Sequence, residues 1–242
     1  MIQIQELGVR FGDAVAVKEL TLEIPDGSLY GLLGPNGAGK TTTIACICGM
    51  RTPQQGKVLV QGVDVAKEPA RVRSNVGYVP QELALYTELT VRKNLQIFGG
   101  LAGINGANLN KRIDWALDVA QLKDRSSDIV DVLSGGMKRR LNMVGSLLHD
   151  PKIIVCDEPT TGVDPQSRNH LFDTVRRLHD EGCTVLYTTH YMEEVEALCQ
   201  RVGIMDRGEL IADNTLESLL DGKESLEQVF LDLTGRGLRD AE

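Results

Sequence analysis

The sequence lacks the features of a membrane-spanning or secreted protein. No stretch approaches the roughly 18 consecutive apolar residues of a spanning helix, and segment 1–12 has neither the basic start nor the apolar run of a signal peptide. The cysteines are odd in number, form no C-x-x-C pair and lie mostly in apolar stretches: Cys46, Cys48, Cys156, Cys183 and Cys199. We therefore expect a cytosolic chain whose cysteines are small core residues in a reducing compartment.

An excess of positive charge is also missing. Lys and Arg total 26 against 34 Asp and Glu, which leaves a net charge of −8, and the basic residues are scattered along the chain. Nucleic acid is therefore not expected as the main ligand, although small polyanions can still bind locally. Hydrophobic residues at 42% and charged residues at 25% are ordinary for a globular protein, which excludes collagen, coiled-coil and globally disordered classes.

Strand and helix patterns alternate along most of the chain. Short apolar runs, typical of strands, occur at 2–5, 20–24, 28–33, 58–60, 76–79, 152–156, 184–188 and 202–205. Segment 91–149 shows no convincing strand and contains two amphipathic helices, at 110–122 and 135–149, while a further helix is predicted over 166–181. The alternation predicts an α/β fold in which helices cover a mainly parallel sheet.

Residues 34–41, GPNGAGKT, match the phosphate-binding pattern G-x-x-x-x-G-K-[ST] between a predicted strand and a predicted helix. Glycines there let backbone N–H groups turn inward around phosphates, and the helix N-terminus adds partial positive charge. We expect Lys40 to reach the β- and γ-phosphates and the Thr41 hydroxyl to bind Mg²⁺; the alternative is a glycine turn that matches by chance. The predicted cradle consists of Gly34, Pro35, Asn36, Gly37, Ala38, Gly39, Lys40, Thr41 and Thr42.

Two further segments supply groups that act on a bound phosphate. The apolar run 153–156 ends in Asp157 and Glu158, which predicts a buried strand with a magnesium-binding carboxylate followed by a general base for the attacking water. A solvated acidic turn is the alternative. About twenty residues earlier, Ser134 reads as a helix N-cap, and Gly135 and Gly136 leave the first-turn amides bare, which makes a second anion site.

Together these segments resemble the ATP-binding subunit of an ATP-binding cassette (ABC) transporter, in sequence order from residue 1 to about 212. The resemblance implies that Phe11 stacks on adenine, that Gln81 is the catalytic, magnesium-binding glutamine of the Q-loop, and that Asp164 and His190 are the D-loop aspartate and switch histidine. Each has a plainer alternative: Phe11 as a core residue, Gln81 as a loop cap, Asp164 as a helix cap and His190 as a strand-end histidine. Met137 and Val163 depart from the common family residues without removing a catalytic group.

The resemblance also implies an architecture. It is a P-loop NTPase fold with a RecA-like core of mainly parallel sheet, an N-terminal antiparallel β region and an inserted helical subdomain. Within this single ABC ATPase domain, the core spans 1–82 and 151–212, the helical subdomain 83–150, and a helical tail 213–242, where Ser225 and Gln228 suggest a capping box. The apolar segment 83–90 fits either a groove for a membrane subunit or the helical core.

The implied activity is ATP hydrolysis that powers transport. Two ATP-binding subunits, in a homodimer or heterodimer, would enclose ATP and Mg²⁺ between one chain's cradle and the other chain's Ser134, Gly135 and Gly136. A separate transmembrane permease would form the pore, which places this chain at the cytoplasmic face of the membrane. Export follows only from analogy with bacterial daunorubicin-resistance-type ATPases. A soluble ABC ATPase of DNA repair, chromosome organisation or translation remains the alternative, although the chain lacks the long coiled coil, zinc cysteines and basic surfaces of those classes.

Overall fold

The structure is a computed structural model, and it describes residues 1–235. Its strands are β1 Ile2–Phe11, β2 Ala14–Ile24, β3 Leu29–Leu33, β4 Gln55–Val60, β5 Val63–Asp64, β6 Val76–Val79, β7 Ile153–Asp157, β8 Thr184–Thr189, β9 Arg201–Asp206 and β10 Glu209–Thr215. Its α-helices are α1 Lys40–Ile47, α2 Pro69–Arg73, α3 Val91–Leu101, α4 Gly106–Val119, α5 Gly135–Gly145, α6 Pro165–Asp180, α7 Met192–Leu198, α8 Leu216–Leu220 and α9 Leu226–Thr234. None of the helices within this described part of the chain has both the length and the hydropathy to cross a membrane.

The first sheet is antiparallel, with strand order β2-β1-β4-β5. Ile2 pairs with Ile24 on one side and with Val60 on the other, and all three side chains are buried. The alternation of buried and exposed residues along β1 and β2 shows that one face covers a core while the other meets solvent, as is common for antiparallel sheets. The predicted N-terminal antiparallel region is confirmed.

The second sheet has the order β10-β9-β3-β8-β7-β6, and every neighbouring pair from β9 to β6 is parallel. All residues of β3, β7 and β8 are buried, which explains why apolar residues in these strands do not alternate with exposed polar ones. Ligands of such sheets bind beyond the carboxyl ends of the strands. β3 there leads into segment 34–39, β7 ends at Asp157, and β8 ends next to His190.

Between β6 and β7 the described chain has no strand, as predicted, and its helices enclose a separate apolar cluster that includes Leu95, Ile113 and Leu141. The predicted bounds of two helices are wrong at three ends. The helix expected over 110–122 is α4, which begins at Gly106 and ends at Val119. The helix expected over 135–149 is α5, which stops at Gly145, because the chain continues in tight turns that place Leu147 and Leu148 in two different cores.

The cysteines are core residues, as predicted. Cys46, Cys48, Cys156 and Cys199 are buried in the two main apolar clusters, Cys183 packs against one of them, and all five are free thiols. Burial raises the pKa of Cys46 to about 11 and that of Cys156 to about 12, so these thiols stay protonated and unreactive at neutral pH.

The C-terminal helix α9 buries Leu226, Val229 and Phe230, whereas Leu233 is exposed. Only half of the predicted capping box forms. The Ser225 hydroxyl accepts a hydrogen bond from the Gln228 backbone N–H, whereas the Gln228 side chain donates to Asp232 in the next turn. Residues 236–242 of the predicted tail lie outside the described residues.

Candidate functional site

The segment predicted to cradle phosphates runs from the end of β3 into α1. Gly39, the N-cap of α1, has φ of 101°, a left-handed conformation that side chains rarely adopt. A Cβ atom at this position would lie 2.5 Å from the carbonyl oxygen of Ala16, so only glycine fits between the turn and the first sheet. A small cavity lies against this turn, and its lining includes Asn36, Thr42, Gln81 and Glu158.

Lys40 is buried at the start of α1, with only 4% of its surface exposed. Its Nζ atom donates to the carbonyl oxygens of Gly34 at 2.7 Å and Pro35 at 3.2 Å, which curls the side chain back over the cradle. The same atom lies 3.1 Å from Oε1 of Glu158. The ammonium group therefore lies between the turn 34–39 and the carboxylate that follows β7.

Asp157 ends β7 beside the start of α1. Its Oδ1 atom accepts hydrogen bonds from the Thr188 hydroxyl at 2.9 Å and the Thr41 hydroxyl at 3.4 Å, and its Oδ2 atom accepts one from the Tyr78 hydroxyl at 3.4 Å. Burial raises the pKa of the Asp157 carboxyl above its usual range. The structure thus brings Thr41 and Asp157 together, as the sequence predicted.

The Glu158 side chain contacts three other predicted site residues. Its backbone has φ of 45°, which is unusual for a residue with a side chain, and its N–H donates to the Thr188 carbonyl oxygen at 3.1 Å. Its Oε2 atom lies 3.0 Å from Nδ1 of His190 and accepts a hydrogen bond from Nε2 of Gln81 at 3.3 Å. Lys40, Gln81 and His190 therefore all converge on one carboxylate.

The signature segment, residues 133–137, lies at the start of α5. The Ser134 hydroxyl accepts a hydrogen bond from the Met137 N–H at 3.3 Å, so the predicted N-cap is present. A Cβ atom on Gly135 would meet open space, whereas one on Gly136 would collide with Ser167 of α6. The Met137 side chain packs on the helical cluster that contains Leu141. No signature residue lines the cavity beside the cradle.

The two remaining predicted residues lie apart from Glu158. Phe11 ends β1 and is 51% exposed, so the alternative of a core residue is wrong. The Arg51 guanidinium lies 4.0 Å from the centroid of its ring. Asp164 caps α6 by accepting a hydrogen bond from the Ser167 N–H at 3.0 Å, and this bond lowers the pKa of the exposed carboxyl.

Sequence patterns missed several residues that hold the site together. Arg139 of α5 is buried and donates to the carbonyl oxygens of Gln81 and, at 3.0 Å, of Thr161, so it links the signature helix to two segments near Glu158. Tyr78 and Thr188 hold Asp157 through their hydroxyl groups. Nothing in the local sequence marks these residues, because each finds its partner across the fold.

Comparison with known proteins identifies the family. A family model described as "ABC transporter" matches residues 17–161. The linearmycin resistance ATP-binding protein of Bacillus subtilis is 42% identical over 243 residues, which cover 100% of this chain and 77% of the relative. The Nod factor export ATP-binding protein I of Cupriavidus metallidurans is 40% identical over 223 residues, which cover 92% of this chain and 74% of the relative.

Solved structures agree. An ATP-binding subunit of an ABC transporter superposes with a TM-score of 0.86 at 27% identity, over 97% of this chain and 99% of that one. A dimeric ATP-binding cassette in a post-hydrolysis state, bound to ADP and Pi, superposes with a TM-score of 0.79 at 25% identity, over 89% of this chain and 99% of that one. The chain therefore belongs to the ABC transporter family, as one of its ATP-binding, ATP-hydrolysing subunits.

Proposed function

We propose that this subunit binds ATP in the cradle 34–42 and hydrolyses it with Glu158 as the general base. The observation that carries the proposal is the convergence of Lys40, Gln81 and His190 on the Glu158 carboxylate, beside a turn shaped for phosphates. The cradle amides and Lys40 bind the phosphates.

A magnesium ion fits the oxygen atoms beside the cradle. The Thr41 hydroxyl and the Asp157 carboxylate are the hard donors that Mg²⁺ prefers, and a cation here would offset the burial that raises the pKa of Asp157. Gln81, which lines the same cavity as Thr41, would complete the set. The ion would neutralise charge that develops on the phosphates during transfer.

The chemistry follows from the contacts of Glu158. The γ-phosphate of ATP would displace the Lys40 ammonium from Glu158, which frees the carboxylate to accept a proton from the attacking water. Gln81 orients that water, and His190 holds the Glu158 carboxylate and then meets the γ-phosphate. The positive φ of Glu158 fixes the direction in which this base points.

The proposed active unit contains two ATP-binding subunits. No signature residue lines this chain's own nucleotide cavity, while the Gly135 end of α5 faces open space. Ser134, Gly135 and Gly136 would therefore contact the γ-phosphate of ATP held by a second subunit, identical or related. ATP binding closes the pair and hydrolysis reopens it.

A separate transmembrane permease is the proposed partner, with this chain at the cytoplasmic face of the membrane. A groove of about 600 Å³ between the parallel sheet and the helical segment 83–150 is lined by Met50, Tyr78, Ala84, Leu101 and other residues. Ala84 thus fits the docking alternative for segment 83–90, whereas Leu85 packs on the helical core. Export is the proposed direction, because relatives are named for linearmycin resistance and for Nod factor export.

Replacing Lys40 by Ala tests the nucleotide assignment. The variant removes a cation from a cradle whose amides remain in place, so we expect ATP affinity to fall by at least about tenfold, as for loss of a charge-assisted hydrogen bond. Calorimetry with ATP measures the affinity, and thermal unfolding confirms the fold. The matched control is Lys57→Ala, since that side chain is exposed on β4. Wild-type affinity in Lys40→Ala would refute the cradle assignment.

Replacing Phe11 by Ala tests the adenine contact. Because Arg51 covers one face of the exposed ring, the other face is free for a base. We expect ATP affinity to fall about fivefold to tenfold, near the low end for base–aromatic stacking, and Phe11→Tyr to bind like wild type. Titration with ATP and with triphosphate alone checks this, since only ATP binding should change. Equal affinities in Phe11→Ala and wild type would contradict stacking.

A further inference from the structure

Glu194, in the first turn of α7, is a buried carboxylate with no part in the chemistry described above. Only 2% of its surface is exposed. Three hydroxyl groups donate to it: Thr160 to Oε1 at 2.7 Å, and Tyr187 and Thr189 to Oε2 at 3.0 Å and 2.9 Å. The carboxylate thus joins the segment that follows β7 to the end of β8.

Among the ion pairs formed within residues 1–235, none includes Glu194. Burying a carboxylate without a cation is costly, and the hydrogen bonds from the three hydroxyl groups offset that cost. An amphipathic helix such as α7 could pack on the sheet with an apolar residue at this position, so packing alone does not account for a charged one.

The positions of the hydroxyl groups that donate to Glu194 indicate a role for its carboxylate. Thr160 lies two residues after Glu158, and Thr189 lies directly before His190. The Thr189 hydroxyl also accepts a hydrogen bond from the Tyr191 N–H at 3.0 Å, so it fixes the backbone on both sides of His190. Glu194 therefore bonds a residue close in sequence to Glu158 and a residue next to His190. The side chains of Glu158 and His190 in turn meet at 3.0 Å.

We propose that Glu194 is a positioning residue for ATP hydrolysis, which sets the placement of Glu158 relative to His190 through Thr160 and Thr189. The inference rests on the proposed roles of Glu158 and His190. Glu194 does not contact the nucleotide cavity or the cradle. Its loss should consequently affect turnover and spare ATP binding.

The test is Glu194→Gln, assayed in the subunit assembled with its membrane partner. An amide has one acceptor oxygen in place of a two-oxygen carboxylate, so it cannot hold all three hydroxyls in the same way. We expect kcat to fall about tenfold to a hundredfold, as for a small misplacement of reacting groups, with the KM for ATP unchanged. The matched control is Glu193→Gln, the exposed neighbour on the same helix, which should behave like wild type.

A double-mutant cycle separates positioning from simple stabilisation. Thr160→Val keeps the side-chain shape and removes the hydroxyl that reaches Oε1 of Glu194. If the two residues act through one link, the combined variant should lose less activity than the product of the single losses. Thr160→Val and Thr189→Val also probe the link on their own if Glu194→Gln does not fold.

Specific results would overturn the inference. These are equal kcat values in Glu194→Gln and Glu193→Gln, a kcat loss matched by a loss of ATP affinity, or losses that multiply in the cycle. If Glu194→Gln does not fold but Thr160→Val and Thr189→Val do, a wild-type kcat in both of these variants would also overturn the inference. A wild-type assembly that does not hydrolyse ATP would instead refute the proposed function, so the two failures are distinguishable.

Discussion

Glu158→Gln should lower kcat by about a hundredfold to ten-thousandfold, the range expected for loss of a general base. The substitution preserves the size of the side chain and leaves it able to contact Gln81 and His190. The amide, however, cannot take a proton from water. ATP affinity should be retained or increased, because the Lys40 ammonium loses a competing carboxylate. Steady-state ATPase assays of the assembled transporter and ATP titration of the subunit measure the two effects.

Two results for Glu158→Gln would contradict this prediction. Glu158→Gln that folds, binds ATP and turns over at the wild-type rate would show that Glu158 is not the base. A loss of ATP affinity along with rate would indicate that Glu158 mainly shapes the cradle. The exposed Glu193→Gln again serves as the control for a changed charge outside the site.

Ser134→Arg should lower the ATPase rate at least about a hundredfold, similar to the loss of a donor to the transition state. It removes the N-cap of α5 and places a long side chain where we propose that the γ-phosphate of a second subunit's ATP lies. Met137→Gln should change the rate by less than about tenfold, or 1.4 kcal/mol of barrier. The Met137 thioether packs on the helical cluster and has no proton to donate to phosphate.

Steady-state ATPase assays compare the two variants, after each has been checked for folding and for assembly with the membrane partner. They test whether Ser134, and not Met137, acts in hydrolysis. Similar losses in Ser134→Arg and Met137→Gln would contradict it and would make Met137 part of the active site. ATP binding by the isolated subunit should be unchanged in both, since no signature residue lines its own cavity.

The parts of the fold that local chemistry determines were predictable. Gly39 is required where the chain turns left-handed against the first sheet, so the pattern of residues 34–41 fixes the local geometry. β7 is apolar along its buried length and becomes acidic at Asp157 and Glu158, which places both carboxylates at the carboxyl edge of the sheet. The N-caps at Ser134 and Asp164 depend only on bonds within one helical turn.

What the sequence did not reveal depends on distant partners. Arg139 resembles any other basic residue of α5 until the fold places the backbone of Gln81 and Thr161 beside it. Glu194 follows a similar residue, Glu193, and only packing on the sheet buries one and exposes the other. The early end of α5 also depends on distant partners, because Leu147 and Leu148 pack into two separate apolar clusters.

We propose that hydrolysis occurs between two ATP-binding subunits. Sedimentation of Glu158→Gln with and without ATP tests it most directly, because blocked hydrolysis should trap the closed pair. We predict a monomer without nucleotide and a dimer with ATP, and we predict that adding Ser134→Arg to Glu158→Gln abolishes the dimer. A mass that does not change with ATP, or an ATP dimer that persists with Ser134→Arg, would contradict the account.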